Sequence, residues 1–232
     1  MPYDQFKKLR LRKGAGGSYE NGLCVMEAVA WMNDEAATDH PECACPVIAN
    51  FAIRLNDSLN NENRQQLTSL IIPITGTKSD EHKQARADLI VMRVGTEIVP
   101  LAFDAIGLSD HAAAMRKCTN KNELRAVMLE ARTAATATAA VYDADAAAAS
   151  AAVCAADAAT VYAPAAAAVY AADATVYAAV YAAAVCAADA GQETLLKCIP
   201  ILKAAIELGP NGSDSFDVYQ PRVVALSEFL KV

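Results

Sequence analysis

No lysine or arginine stands between Thr133 and Leu196, and no glycine between Gly107 and Gly191. The first absence removes the cations that would neutralise phosphates. With a net charge of −7 and a pI near 5.0 over the whole chain, it argues against general binding of DNA or RNA. The second removes the residue that most favours flexible coil. Long uncharged runs are also missing. The charge-free stretches at 158–172 and 174–188 fall short of the roughly 20 residues a bilayer-spanning helix needs, so no membrane span is expected. The first residues lack an apolar core segment, so no secretory signal is expected either. Cysteine numbers seven, an odd count. Cys24, Cys118, Cys154, Cys186 and Cys198 stand in helix-like surroundings, where a free thiol acts as a small apolar group. A reducing cytoplasm without a disulfide framework is the expectation.

What fills the gap is alanine, 34 of the 65 residues from Ala126 to Ala190. Alanine has the best helix propensity because it loses no side-chain entropy, but its methyl group buries little area. Larger residues arrive in pairs, among them Val141-Tyr142, Val161-Tyr162, Val169-Tyr170, Val176-Tyr177 and Val180-Tyr181. At about 100° per residue, Val169, Val176 and Val180 fall within about 40° of one another on a helix. Alternation with period 2 is missing, which argues against strands. Pro164 breaks or kinks the run. Small faces of this kind bury enough only when another helix lies close against them.

The rest of the chain also reads as helix. A basic start with Lys7, Lys8, Arg10, Arg12 and Lys13 reads as a solvated tail, followed by the turn Gly14-Ala15-Gly16-Gly17. A helix is predicted over 22–33, capped by Ser18 or Asn21, and another over 47–59 with Pro46 at its first position and Cys45 before it. A short helix capped by Asn61 stops near Pro73. Ser79 opens one that reaches Met92, with bends at Gly95 and Pro100. Gly107-Leu108 fits a glycine C-cap, Ser109 caps a helix to Cys118, and Asn120 with Glu123 makes a capping box. Gly191 ends the alanine helix. A helix over 193–208 is interrupted at Pro200, and a final one covers 221–232. The fold class is therefore all-α: an N-terminal multi-helix domain, 1–120, followed by a segment, 121–232, of long alanine-rich helices packed as a hairpin or bundle.

Chemistry-bearing residues are densest at Cys24, Glu27, Asp39, His40, Cys43 and Cys45. His40, Cys43 and Cys45 are metal-type ligands close in sequence, and Cys24 or Glu27 could complete a tetrahedral structural zinc site. The C-x-C spacing is weaker than C-x2-C, and a loop packed around these side chains is the preferred reading, ahead of zinc and of catalysis. For catalysis, Cys24 near a helix N-terminus is the candidate nucleophile, with His40 as base and Asp39 or Glu27 orienting it, although adjacent Asp39 and His40 do not easily form the usual triad hydrogen bond. His82 and His111 read as surface residues.

The segment from Cys24 to Trp31, the run Asp39-His40-Pro41-x-Cys43-x-Cys45-Pro46-Val47-Ile48 and Leu55-Asn56-Asp57 resemble a group of uncharacterised phage and bacterial proteins that commonly end in alanine-rich tracts. The resemblance covers about half the chain, brings no catalytic residues with it, and implies an intracellular accessory protein. Together the readings favour a non-enzymatic interaction or assembly protein, cytoplasmic, with itself or another protein as partner and no cofactor. The alternative is a zinc- or cysteine-dependent enzyme centred on Cys24 and His40.

Overall fold

The computed structural model describes residues 9–18, 21–139 and 188–212. The fold is all-α. Among the described residues the β pairings are isolated bridges, Leu11 with Leu23 and Ser18 with Gly22. The expected hairpin or bundle of alanine-rich helices, the Pro164 break and the final helix over 221–232 lie outside the described residues. By their contacts the described residues divide into two units. One holds those up to Lys83 with those from Ile206, and the other runs from Gln84 to Ala205. No described helix is long and apolar enough to cross a membrane.

In the first unit, α1 (Val25–Met32) packs against α2 (Pro46–Ser58) and a short α4 (Ile71–Ile74). Pro46 starts α2 as predicted, because its missing N–H is one a helix start cannot use. The face of Val47, Ile48, Phe51 and Leu55 is buried, at the spacing that one stripe of a 3.6-residue period requires. Between α2 and α4, α3 (Asn61–Arg64) continues into a 3-10 turn over Gln65–Leu70. Its cap is Asn60 rather than Asn61: the Asn60 carboxamide oxygen accepts the Asn63 N–H at 2.8 Å.

Arg64 closes the end of α2. Its guanidinium donates from Nε to the Asn56 carbonyl at 2.6 Å, from Nη2 to the Leu59 carbonyl, and from Nη1 to Asn61 Oδ1 at 2.7 Å. The last carbonyls of a helix lack partners of their own, and a planar fork of donors suits them. Burial pushes the Arg64 pKa down, yet nothing in the ordinary pH range removes its proton.

The expectation of a solvated basic tail fails over residues 9–12. Leu9 and Leu11 are each 4% exposed. The Arg12 N–H donates to the Leu23 carbonyl at 2.9 Å and the Leu23 N–H to the Arg10 carbonyl at 3.2 Å. On the other flank the Gln65 carboxamide accepts the Leu11 N–H and donates to the Leu11 carbonyl, both at 2.9 Å. Leucine at every second position gives this short extended piece an inner face that outweighs the solvation of Arg10 and Arg12.

The second unit is built on α5 (Asp80–Arg93), a π-helical turn over Val94–Ile98, and α6 (Val99–Ala105). Ser79 caps α5 as predicted, its Oγ accepting the His82 N–H at 3.3 Å. The bends expected at Gly95 and Pro100 take the form of this wide turn, with Pro100 in the first turn of α6. Gly107, at φ +79°, ends α6: its N–H reaches the Asp104 carbonyl, and the Leu108 N–H reaches the Phe103 carbonyl at 2.8 Å. This paired closure needs the left-handed conformation that glycine alone adopts freely. The following α7 (Ser109–Arg116) packs on α6, and α8 (Lys121–Ala139) packs on α7. Ile90, Val94, Ile98, Phe103, Met115, Leu124 and Met128 are buried.

Several predicted boundaries move. Ser109 lies inside α7, which has no side-chain cap. Asn120 accepts the Glu123 N–H at 3.0 Å as the box requires, while the Glu123 carboxylate takes its main hydrogen bond from the Thr119 N–H at 2.8 Å, with a lesser one from the Asn120 backbone. Gly191 does not end its helix: α9 (Ala188–Leu196) runs through it and the interruption falls at Lys197. Helix α10 (Cys198–Glu207) begins two residues before Pro200, so the proline occupies the first turn, where its missing N–H is harmless.

Replacing Arg64 by methionine keeps the apolar stem and leaves the Asn56 and Leu59 carbonyls without their donors. Arg64→Met is expected to lower the unfolding free energy by about 2–4 kcal/mol, read as a lower urea midpoint by circular dichroism.

Candidate functional site

Chain direction at the start of α1 is set by a pair three residues apart. Cys24 is the N-cap: its sulfur accepts the Glu27 N–H at 3.4 Å, and Glu27 Oε2 accepts the Cys24 N–H at 2.9 Å. This is a capping box in which sulfur replaces the usual hydroxyl, and it displaces the Ser18 or Asn21 cap predicted above. The other oxygen of Glu27 turns to the glycine turn and accepts the N–H groups of Gly16 at 2.6 Å and Gly17 at 3.2 Å. Glu27 is 5% exposed and Cys24 2%. A carboxylate buried to this degree is stable because donors surround it.

The second carboxylate centre is Glu35. Asp34, at φ +56°, turns the chain out of α1, and the Glu35 N–H returns to the Ala30 carbonyl at 2.9 Å. The Glu35 side chain accepts from Asn33 Nδ2 at 2.7 Å and from the N–H groups of Glu42 at 2.5 Å and Cys43 at 3.0 Å. Burial alone would push this carboxyl up. The hydrogen bonds from Asn33, Cys43 and Glu42 outweigh it and hold the carboxyl below its ordinary value.

The candidate ligands occupy separate surroundings. Cys24 belongs to the α1 cap. Cys43 is half-buried beside Glu35, and Cys45 is buried with its N–H on Thr77 Oγ1 at 2.9 Å. His40 points to solvent, its side chain 62% exposed, with Nδ1 2.7 Å from Asp39 Oδ1. Among the described residues no three of His, Cys, Asp and Glu are placed to hold one metal ion. The set Cys24, His40, Cys43 and Cys45 does not converge. The Asp39–His40 pair does form between neighbours, as a surface contact. His82 and His111 are half-buried rather than freely exposed, and His82 Nδ1 lies 2.9 Å from Ser79 Oγ.

Burial also raises the pKa of two of these thiols. Burial pushes the Cys24 thiol from an ordinary 9.0 up to about 11. Burial, then the hydrogen bond and charge of Glu35, push Cys43 up to about 12. Burial does the same to Cys198. The thiolate is the nucleophile, so a Cys24–His40–Asp39 centre lacks both the activated sulfur and the contact with its base. Of the residues that organise this region, Glu27 stands among the sequence candidates, but as a metal ligand and not as half of a capping box, whose signal is its three-residue spacing from Cys24; Glu35 and Thr77 carry no sequence signal.

No family model, curated protein or solved structure matches this chain.

Glu27→Gln removes the charge shared by three N–H donors and is expected to cost about 2–4 kcal/mol, measured by urea unfolding followed through Trp31, the sole tryptophan. The thiols give a pH dependence of definite sign. Their folded values lie above the ordinary 9.0, so below that pH both states keep the proton and stability is complete. Between about pH 9 and 12 the unfolded chain ionises first and stability falls. Urea midpoints at pH 8 and pH 10.5 check the decline, and at neutral pH Ellman's reagent should label native Cys24 at least about a hundredfold more slowly than a free thiol.

Proposed function

We propose that this chain is a non-enzymatic interaction or assembly protein that associates, with itself or with another protein, through its alanine-rich tract. The observation that carries the reading is compositional: 34 alanines in 65 residues, with valine-tyrosine pairs returning at helical spacing. A helix of this kind buries too little by itself and gains most from a close neighbour. Leu129, at the described beginning of the tract in α8, is 43% exposed and is the exposed large apolar side chain among the described residues. The groups that would argue for an enzyme serve the backbone instead: Glu27 and Glu35 are occupied by main-chain donors, and Cys24 is a protonated cap. The likeness of the segment from Cys24 to Asp57 to phage and bacterial proteins with alanine-rich ends agrees with an accessory role of this type.

Light scattering on the purified chain at micromolar concentration tests the reading. A dimer or larger assembly is expected, weakened at least about tenfold, or 1.4 kcal/mol, by combining Val176→Glu with Val180→Glu. A monomer at every concentration, together with no partner recovered from lysate, overturns it.

A further inference from the structure

We propose that the slot occupied by residues 9–12 is an exchange site, and that its alternative occupant is the same stretch of a second copy of this chain. The slot is made entirely by residues beyond the stretch. Leu23 pairs with the backbone of Arg10 and Arg12 on one flank, and the Gln65 carboxamide acts as a second strand for Leu11 on the other. Leu9 and Leu11 are buried in it, each 4% exposed, while Arg10 is exposed. What the slot recognises is therefore an extended Leu-x-Leu segment with free main-chain groups and outward cations. It does not read the covalent connection of that segment to the rest of the molecule.

That connection is a hinge. Gly14 and Gly16 stand at φ +74° and +80°, with open space where a side chain would begin. Such residues re-aim the chain without steric cost. The pivot is Gly14, held by one polar tie, its N–H donating to Asp57 Oδ1 at 2.9 Å; beyond it Gly16 and Gly17 stay anchored on Glu27, with Gly17 packed closely against Gly22. When the stretch of one copy enters the slot of another, every contact of the slot is kept, the Glu27 cluster is kept with it, and the Gly14 tie to Asp57 is what is given up. Exchange of an identical element between copies is a low-cost route to association under these conditions. The contact is separate from the alanine tract and does not rest on the association proposed there.

The test uses full-length chains carrying Arg10→p-benzoylphenylalanine, an exposed position, in an equal mixture of unlabelled and 15N-labelled protein. The mixture is held at about 1 mM, comparable to the effective concentration of a short tether, then irradiated. Cross-linked peptides from position 10 to residues 21–23 or 64–66 are read by mass spectrometry. The expected result is that pairs joining a light stretch to a heavy slot form, increase with concentration, and increase at least about twofold further when Asp57→Ala removes the Gly14 tie. Cross-links that stay within one isotope form at every concentration, with and without Asp57→Ala, overturn the proposal, even if the chains associate through the tract. A second measurement needs no variant. Amide exchange at Leu11 and Arg12 in the native chain should speed at least about fivefold with about 1 mM of a peptide of residues 8–14, and not with a peptide bearing aspartate at both leucine positions. Equal rates with both peptides overturn the proposal as well.

Discussion

The first unit depends on one buried carboxylate. Glu27 gathers the N–H groups of Gly16, Gly17 and Cys24, three donors from a tight turn and a helix start that no regular element could pair. Hydrogen bonds to a charged group contribute about 1.5–3 kcal/mol each, and they do so here only because all three point at the same two oxygens. Geometry and charge support each other. The burial of the side chain strengthens its bonds, and the bonds make the burial tolerable. From this fixed corner α1 departs in one direction and the extended piece at residues 9–12 lies back along Leu23.

The same device recurs wherever the chain turns too sharply for helix or sheet to satisfy its own backbone. Glu35 ties the exit of α1 to the entry of α2, Arg64 closes the end of α2, and Gln65 stands in for a missing strand. Helices of four to thirteen residues expose many unpaired groups for their length. Long polar side chains from neighbouring turns supply the partners. Residues that look ready for chemistry, Glu27 and Glu35 among them, therefore hold the backbone. Their acceptors and donors are already engaged, and burial pushes the Cys24 and Cys43 thiols up.

The helices themselves were legible in the sequence. The buried face of α2 follows a period of 3.6, while α1 is buried nearly all round; Pro46 and Gly107 mark a start and a stop, and Ser79 caps α5. The rest was hidden for physical reasons. Cys24 in place of Ser or Thr concealed a capping box whose spacing to Glu27 was correct. The cations at Arg10 and Arg12 concealed an alternation of leucines too brief to register as a strand. Nearness in sequence brought Cys24, His40, Cys43 and Cys45 together on paper, but Asp34 and Glu35 redirect the backbone so that each side chain ends in different surroundings. A carboxylate that binds amides seven and eight residues downstream, as Glu35 does, leaves no periodic trace.

The wide turn at Val94–Ile98 has an implication for how this protein can change over generations. A π turn accommodates one residue more than the α-helix on either side. Excision of a single codon within it would bring α5 and α6 into one helical register, with Pro100, which has no N–H, left as a kink in the joined rod. Anywhere else along that rod, a one-residue loss swings all that follows by about 100°. The junction is thus the place where this part of the chain tolerates a length change, a reserve of slack kept inside the rod itself.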